Sequence, residues 1–178
     1  MSIKNNKIEG IFLFNPKKFD DNRGIFFEIF NKNRFCSEGI NVEFKQDNFS
    51  RSKKNVLRGL HFCKSKPQSQ LVTVLKGKIL DVVVDVRVNS NTFGEWNSFE
   101  LSDESISQIY MDKGFAHGFY VISDYVDMHY KVSELYNPKD DHGIIWDDKE
   151  LSIKWPSSNP IISEKDKNFP AFKDIKFI

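Results

Sequence analysis

The chain has 178 residues, with 26 basic and 25 acidic side chains and a formal net charge of +1. This length suits one domain that buries about 70% of its unfolded surface. Hydrophobic residues make up 39% and charged residues 29%, which argues against a disordered tail and favours a globular chain. The balanced charge argues against nucleic acid or an anionic membrane as a partner.

Three further features bear on the compartment. No apolar run approaches the roughly 20 residues of a membrane span. The first residues, MSIKNNK, lack the apolar core of a signal peptide. Two cysteines, Cys36 and Cys63, are too few for a disulfide scaffold. We therefore expect a cytoplasmic protein with no membrane partner.

Phenylalanine is the unusual component, with 17 Phe beside 9 Gly and 6 Pro. A Phe-rich core and an aromatic-lined cavity both explain this excess, and composition alone does not choose between them. Several phenylalanines lie within or beside the motifs described below, so part of the excess is expected to wall a pocket.

Turn signals recur at short intervals along the whole chain, and no linker or repeat divides it. Between them lie short runs rich in Val, Ile and Phe. This pattern predicts an all-β sandwich or barrel, in a single domain over residues 1–178. Helical signal is thin: residues 31–36 predict one short helix, and about 20 residues at the C-terminus predict another.

Residues 55–62, with the sequence NVLRGLHF, place Arg58 and His61 inside an apolar run. Buried charge is costly unless it is paired. The two side chains are therefore either a salt-bridged Arg and a core His, or the wall of a pocket that holds an anion and transfers protons. In a regular strand they point to opposite faces. They share one cavity only if Gly59 allows a bulge, so we predict irregular backbone there.

The clearest strand prediction covers residues 79–88. It follows a strand at 71–75 through a hairpin-like connection at 76–78. One face of the second strand is a continuous apolar row, and the other carries Asp81, Asp85 and Arg87. That polar face is either solvated or lines a polar cavity.

Two later segments also hold candidate site residues. Residues 112–119, DKGFAHGF, set His117 beside glycines, which indicates close backbone approach next to an imidazole, or a turn with a capping His. In a predicted strand over 126–132, parity directs Tyr130 inward and His129 toward water. A buried Tyr usually needs a partner for its hydroxyl.

Several common kinds of site are missing from the sequence. The four histidines, including His142, have neither the His-x-His nor the i, i+4 spacing of a metal site, so we predict no metal. There is no Gly-rich phosphate loop and no Gly-x-Ser-x-Gly elbow. Cys63 shares the predicted strand face of His61, but neither cysteine is flanked by an obvious base, so packing is its expected role.

Many short motifs follow one another in a specific order and spacing. They are Arg23-Gly24 with Glu28, QDNFS at 46–50, VLRGLHF at 56–62, DVVVDVR at 81–87, TFGEW at 92–96, GFAHGF at 114–119, Tyr130-Lys131 and WDD at 146–148. From about residue 8 to Asp166, the chain resembles the dTDP-4-dehydrorhamnose 3,5-epimerase family. One such motif would be weak, whereas the ordered set is specific.

The resemblance implies an all-β cupin-type jelly-roll barrel with a few short helices. It implies a homodimer in which an N-terminal strand joins the partner's sheet, and a site without metal, nicotinamide or other cofactor. The implied substrate is a nucleotide-linked 4-keto-6-deoxyhexose, inverted at C3 and C5. Because the C4 carbonyl acidifies both positions, the reaction needs a base, an acid across the ring and donors for the developing oxyanion.

The same resemblance implies roles for individual residues. His61 resembles the base, Asp166 the carboxylate that orients it, and Tyr130 the opposing acid. Phe19 or Phe26 are candidates for stacking on the nucleotide base. The implied substrate contacts, some of them reaching across the dimer, are Arg23, Glu28, Gln46, Asp47, Asn48, Arg58, Gln70, His117, Asp141 and Lys165.

Three departures from the family pattern lie in the expected sugar pocket. Cys63 stands where Gln is common, Gln70 stands where Lys supports the C4 oxyanion, and the loop over 64–69 is one residue shorter. An amide stabilises an enolate less than an ammonium does. Three alternatives therefore stay open: an epimerase acting at C3 or C5 alone on a different sugar, a 3,4-ketoisomerase, and a non-catalytic sugar-nucleotide binding module.

Overall fold

A computed structural model describes residues 2–5 and 7–177. Strands dominate this part of the chain, as the turn spacing predicts. They are β1 Ser2–Asn5, β2 Ile11–Asn15, β3 Lys18–Asp21, β4 Gly24–Phe27, β5 Gln46–Lys53, β6 Leu57–Cys63, β7 Gln70–Lys76, β8 Lys78–Asp85, β9 Trp96–Ser102, β10 Gln108–Met111, β11 Phe115–Val121, β12 Tyr125–Val132 and β13 Asp141–Gly143. The helices are α1 Lys32–Ser37 and α2 Glu164–Lys167, with 3-10 turns at Pro138–Asp140 and Phe172–Asp174.

The strands form two antiparallel sheets and a separate hairpin. The larger sheet has the order β1-β2-β10-β7-β12-β5, and the smaller has the order β13-β6-β11-β8-β9. Among the strands that the structure describes, β3 and β4 pair only with each other. Most neighbours in each sheet are distant in sequence, which is typical of a jelly roll. The predicted all-β jelly-roll class is confirmed.

The two sheets face each other across a shared core. Alternate residues of β7 and β12 in the larger sheet meet alternate residues of β8 and β11 in the smaller one. The side chains packed in this cluster include Val72, Val74, Ile79, Val83, Phe115, Phe119, Val126 and Met128. The face predicted as inward for residues 126–132 is therefore the inner face of β12.

Both outer faces are partly covered, and eight of the 17 phenylalanines belong to the clusters there. The C-terminal segment packs on the outer face of the smaller sheet, where Phe172 and Phe177 meet Leu60, Val82 and Val84. Helix α1 and its flanks cover part of the larger sheet through Phe35, Phe30 and Phe44. The apolar row of the predicted strand over 79–88 belongs to the first of these outer faces.

Two predicted features of residues 71–88 are wrong. Strands β7 and β8 belong to different sheets, so residues 76–78 form a corner between sheets and not a hairpin. Gly77 has φ of +87°, and a Cβ there would lie 2.2 Å from the Tyr125 carbonyl oxygen. Strand β8 also ends at Asp85, because that carboxylate binds the Arg87 backbone N–H at 3.0 Å and draws the chain into a loop.

One of the two helix predictions is confirmed, and the other is mostly wrong. Helix α1 lies where residues 31–36 predict it, with Asn31 as its N-cap accepting from the Arg34 N–H. The predicted C-terminal helix reduces to the single turn of α2 and one 3-10 turn. Within the described residues, no helix is long and apolar enough to cross a membrane.

The predicted N-terminal strand is present as β1 at the edge of the larger sheet. It pairs with β2 of its own chain, with Ser2 opposite Asn15. Its exchange into a partner concerns a second chain and stays a prediction. The single-domain division over residues 1–178 also stays a prediction.

Candidate active site

A cavity of about 370 Å³ opens between the two sheets. Its walls come from β5, β7 and β12 on one side and from β6 and β11 on the other. Most of the residues proposed from the sequence share this cavity. Those lining it are Gln46, Asn48, Arg58, His61, Gln70, His117, Tyr130 and Asp141.

Gly59 brings Arg58 and His61 to the same cavity. Its φ of +126° is in the region that favours glycine, and a Cβ there would lie 2.5 Å from the Gly118 Cα. The register between β6 and β11 shifts between His117 and Phe119. These two observations confirm the irregular backbone predicted at Gly59. In a regular strand, Arg58 and His61 would point to opposite faces, and only one of them would reach the cavity.

His61 is held by a buried carboxylate. Its Nε2 lies 3.0 Å from Asp166 Oδ1, and Asp166 Oδ2 accepts the Gly59 N–H at 3.1 Å. Burial raises the pKa of Asp166, but the hydrogen bonds from His61 and Gly59 outweigh it and leave that pKa below its ordinary value. A carboxylate that accepts from Nε2–H leaves Nδ1 as the basic nitrogen.

The elements around Asp166 fix its place. Ser163 caps the turn of α2 and accepts the Asp166 N–H at 3.1 Å. The Phe169 ring meets the His61 imidazole edge-on, with centroids 5.7 Å apart. A Cβ at Gly143 would come within 2.3 Å of Phe169, so glycine there makes room for this ring. Sequence patterns gave no signal for Phe169 or Gly143.

His117 has its own buried carboxylate, Asp81. Its Nε2 lies 2.8 Å from Asp81 Oδ2, and Asp81 is fully buried. The other oxygen, Oδ1, has no hydrogen-bond partner in the described part of the chain. The polar face of the predicted strand over 79–88 therefore lines the interior and is not solvated. The sequence flagged that face but did not assign Asp81 to His117.

Tyr130 lies on the inner face of β12, in the sheet opposite His61. Among the described residues its hydroxyl has no hydrogen-bond partner, so the partner expected from the sequence is missing and the group is free to meet a ligand. Burial raises the pKa of Tyr130, and the nearby Arg58 offsets part of that rise. The phenol is therefore protonated at neutral pH.

Lys131 and His129 lie on the outer face of β12, but neither is a freely solvated side chain. Lys131 binds Asp47 and lies over the Phe30 ring. His129 is 22% exposed, and burial lowers its pKa. The prediction that His129 faces water holds only in part, because its Nε2 lies 3.5 Å from Asp47 and its Nδ1 is buried.

Arg58 carries a guanidinium without a carboxylate partner. Its Nε donates to Ser52 Oγ at 3.0 Å, and no ion pair to Arg58 occurs among residues 2–5 and 7–177. The salt-bridged structural interpretation is therefore wrong. Ser52 was not anticipated from the sequence, yet it orients the guanidinium toward the cavity.

The mouth of the cavity carries a polar network. Lys165 binds Asp141, and the Tyr136 hydroxyl donates to the same carboxylate at 3.1 Å. The Tyr136 N–H donates to Gln46 Oε1 at 2.9 Å, and Gln46 Nε2 donates to Asn48 Oδ1 at 2.8 Å. Tyr136 is 64% exposed. It was not among the sequence candidates, although an exposed aromatic ring at a cavity mouth suits stacking on a base.

Three candidates lie away from the cavity of their own chain. Asp47 is on the outer face of β5 and pairs with Lys131, so its side chain does not reach the cavity. Glu28 pairs with Arg34 at 3.0 Å. Arg23 is at the tip of the β3–β4 hairpin, where its side chain is 86% exposed and bound to Asp21.

Cys63 lines the cavity beside the mouth network. Burial first, and then the negative charges of Asp140 and Asp141, raise its pKa to about 11. The thiol is therefore protonated at neutral pH and unsuited to nucleophilic attack. In residues 2–5 and 7–177, no group of three or more His, Cys, Asp or Glu side chains has the arrangement to hold a metal ion.

The fold and the cavity define a cupin-type jelly roll with a His–Asp pair on one sheet and a tyrosine hydroxyl on the facing sheet. Residues 5–174 match the family model described as dTDP-4-dehydrorhamnose 3,5-epimerase, and the chain belongs to this family. A dTDP-4-dehydrorhamnose 3,5-epimerase from Methanothermobacter thermautotrophicus is 46% identical, over 94% of this chain and 92% of that protein.

Two further relatives bear on the site. The crystal structure of a Legionella pneumophila dTDP-6-deoxy-D-glucose-3,5-epimerase, in complex with dTDP-4-keto-L-rhamnose, superposes with a TM-score of 0.95. It is 42% identical, over 98% of this chain and 94% of that chain. A dTDP-4-dehydrorhamnose 3-epimerase from Streptomyces niveus is 38% identical, over 90% of this chain and 79% of that protein.

Proposed function

We propose that this chain inverts C3 and C5 of a nucleotide-linked 4-keto-6-deoxyhexose, converting dTDP-4-dehydro-6-deoxyglucose to dTDP-4-dehydrorhamnose. The observation that carries the proposal is the placement of a base and an acid on opposite walls of one cavity. His61, with its buried Asp166, belongs to the smaller sheet, and Tyr130 belongs to the larger. Inversion needs this arrangement, because a proton leaves one face of the ring and another arrives on the opposite face.

His61 starts the reaction. Its Nδ1 takes the proton from C3 or C5, the C–H electron pair forms a C–C double bond, and the carbonyl electrons move onto the C4 oxygen. The Asp166 carboxylate stabilises the resulting imidazolium through Nε2–H. Because its pKa is lowered, Asp166 stays ionised while His61 gains the proton.

Tyr130 completes each inversion. Its hydroxyl gives a proton to the carbanionic carbon from the face opposite His61, and the C4 carbonyl re-forms. Proton exchange with water then returns a proton to the phenolate and removes one from the imidazolium, which restores both groups for the second carbon. Burial keeps the phenol protonated before this step, while Arg58 eases formation of the phenolate. The unpaired hydroxyl suits this role, since no protein acceptor among the described residues competes for its proton.

Arg58 and the residues at the cavity mouth contact the nucleotide part of the substrate. A guanidinium without a carboxylate partner suits a pyrophosphate, which it can bind in bidentate fashion. His117, fixed by Asp81, is a further contact to the sugar or pyrophosphate. Gln46, Asn48, Asp141 and Lys165 lie at or near the mouth, where the exposed Tyr136 ring can stack on the base.

The β3–β4 hairpin supports a homodimer. Phe19, Ile25 and Phe26 are 51%, 54% and 69% exposed, which is unusual for large apolar side chains so close together. We propose that the hairpin carries Arg23 into the cavity mouth of a second copy, with Glu28 beside it, and that the N-terminal strand joins the exchange. Two free cysteines, Cys36 and Cys63, suit the reducing cytoplasm as the compartment.

One experiment tests the activity directly. The protein is incubated with dTDP-4-dehydro-6-deoxyglucose in deuterated water, and proton NMR follows C3 and C5. We expect deuterium at both carbons together with inverted product, and no exchange with His61→Asn. A ketone relocated to C3 would favour a 3,4-ketoisomerase, and binding of dTDP-sugar without exchange would favour a binding module.

An epimerase acting at one carbon is the second candidate. The observation in its favour is the neutral Gln70 in the cavity wall, since a weaker oxyanion site limits how readily each enolate forms. The relative from Streptomyces niveus is named as a 3-epimerase. Exchange confined to C3 in the same NMR experiment would support this candidate over double inversion.

A further inference from the structure

The loop that joins β6 to β7 runs from one wall of the cavity to the other. Strand β6 ends at Cys63 in the smaller sheet, and β7 begins at Gln70 in the larger one. Strand β6 carries His61, and β7 is the hydrogen-bonded neighbour of β12, which carries Tyr130. The loop over 64–69 therefore links the wall of the proposed base to the wall of the proposed acid.

One buried carboxylate holds the first half of this loop. Asp140 is 2% exposed, and its Oδ1 accepts the Lys64 N–H at 3.1 Å and the Ser65 N–H at 2.7 Å. Its Oδ2 accepts the Lys66 N–H at 2.8 Å. Burial raises the pKa of Asp140, but the hydrogen bonds from these backbone N–H groups outweigh it and leave that pKa below its ordinary value. The carboxylate is therefore ionised at neutral pH and satisfies three consecutive backbone donors.

The second half of the loop has an anchor of its own. The Ser69 N–H donates to Ser133 Oγ at 2.9 Å, and the Ser133 N–H donates to the Ser69 carbonyl at 3.0 Å. Ser69 Oγ also donates to Asp112 at 2.9 Å. Gln68 lies between the two anchors and lines the cavity, as Cys63 does just before them. The loop is therefore held at both ends where it borders the cavity.

Asp140 also connects this loop to the strand beside the base. It ends the 3-10 turn Pro138–Asp140, and the next residue, Asp141, begins β13. In the pairing of β13 with β6, Asp141 is opposite Cys63 and Gly143 is opposite His61. The position of the loop is therefore tied to a strand whose register on the base wall is fixed.

Resting on the proposed function, we propose that Asp140 is a positioning residue for the epimerase reaction: by holding the loop over 64–66, it sets the gap between the His61 wall and the Tyr130 wall. Proton removal needs His61 and its buried Asp166, which both lie on one side of the gap. Inversion also needs the Tyr130 hydroxyl within reach of the opposite face of the ring. A change in the gap therefore affects inversion more than proton removal, since a misplacement of about 1 Å can lower a rate by about 10²-fold.

Asp148 is a matched control for Asp140. It is 6% exposed, and its Oδ1 accepts the N–H groups of Glu150 and Leu151, both at 2.9 Å, while its Oδ2 accepts the Phe172 N–H at 2.8 Å. It therefore satisfies three backbone donors, as Asp140 does. The segment that it holds packs on the outer face of the smaller sheet.

The test compares Asp140→Asn with Asp148→Asn, because in each variant the amide NH2 meets a backbone N–H that the carboxylate accepted. Both variants should lower the melting temperature by about 2–10 °C. Incubation with dTDP-4-dehydro-6-deoxyglucose in deuterated water then gives the initial ratio of deuterated, uninverted substrate to inverted product. We expect Asp140→Asn to raise this ratio by about 10- to 100-fold and Asp148→Asn to leave it at the wild-type value.

A second variant releases the other end of the same loop. Ser133→Ala should raise the ratio in the same direction, and it supplies the readout if Asp140→Asn does not fold. A wild-type ratio in folded Asp140→Asn, or in Ser133→Ala where Asp140→Asn does not fold, would overturn the positioning role alone, and so would an equal rise in Asp148→Asn. Absence of deuterium exchange in the wild-type protein would overturn the proposed function, and this role with it.

Discussion

His61 and His117 are register partners on adjacent strands, and each imidazole binds its own buried carboxylate. Asp166, which binds His61, lies in the short helix α2 far along the chain. Asp81, which binds His117, lies in β8, the strand next to β11. Each carboxylate fixes one ring nitrogen and leaves the other for a ligand. Two oriented imidazoles therefore stand side by side on one wall of the cavity.

Asp166→Asn tests the orientation of the base. If the amide oxygen keeps the Gly59 N–H, the amide NH2 faces His61 Nε2 and donates to it, which places the ring proton on Nδ1. A neutral amide also does not stabilise the imidazolium. We expect exchange at C3 and C5 to fall by about 10²–10⁴, with little change in dTDP affinity. NMR of exchange and calorimetric titration with dTDP measure the two effects. Exchange at the wild-type rate would contradict the base assignment.

Tyr130→Phe separates proton removal from proton return. The base is untouched, so deuterium should still enter from the His61 face, while inversion should fall by about 10²-fold or more at the carbon that Tyr130 protonates. The measurement compares exchange and product stereochemistry in the same sample. Tyr125→Phe is the control, because Tyr125 is 43% exposed and does not line the cavity. An unaltered product ratio in Tyr130→Phe would count against the acid role.

Arg58→Met tests the anion site. Loss of a charge-assisted contact should raise KM for the dTDP-sugar by about 10- to 100-fold, with a smaller effect on kcat. Arg51→Met is the matched control, because Arg51 pairs with Asp127 on the outer face of the sheet. If both variants bind dTDP as the wild type does, Arg58 is not the pyrophosphate contact.

Gly59→Ala should damage both stability and activity. The new Cβ would lie 2.5 Å from Gly118 Cα, and the alanine would have to adopt a φ of +126°. Together these two effects should lower the free energy of unfolding by about 2–5 kcal/mol. Gly39→Ala is the control, since Gly39 has φ of +85° but open space around it, and about 1 kcal/mol is expected there. Urea unfolding measures both variants. Equal losses would show that the close approach to Gly118 has no energetic weight.

The lowered pKa of Asp85 predicts that the loop after β8 loses stability in acid. Burial raises its pKa, but hydrogen bonds from Arg87, Ser90 and Thr92 outweigh this and lower it to about 2, from an ordinary value of 3.8. A lowered pKa stabilises the fold above pH 4 by about 2 kcal/mol, and this contribution is lost as the pH falls from about 4 toward 2.

The check compares acid unfolding of the wild type with that of Asp85→Asn. The variant should be less stable at pH 7 and should lose less stability on acidification, because the titrating group is gone. Asp124→Asn is the control, since Asp124 is 91% exposed and 3.3 Å from Lys54, where an ion pair contributes little. A wild-type unfolding curve in Asp85→Asn would contradict the prediction.

Local patterns predicted most of the strands and which side chains face the cavity. Alternation along 126–132 placed Tyr130 inward, and the conflict of parity between Arg58 and His61 predicted the bulge at Gly59. These predictions succeeded because strand periodicity and glycine conformation depend on a few neighbouring residues. The substrate roles of these side chains stay predictions until exchange is measured.

Tertiary structure decided what depends on contacts between distant residues. Whether Arg58 is paired, which carboxylate binds His117, and whether residues 76–78 turn within one sheet or between two all rest on which strands become neighbours. Chain order does not encode those neighbours directly. For that reason the pairing of Asp81 with His117, and the contributions of Ser52 and Tyr136, emerged only from the folded chain. The folded chain also explains two features of the composition. Within a balanced overall charge, one guanidinium without a carboxylate partner lies in the cavity. The 17 phenylalanines are divided between the core, the cavity wall and an exposed hairpin.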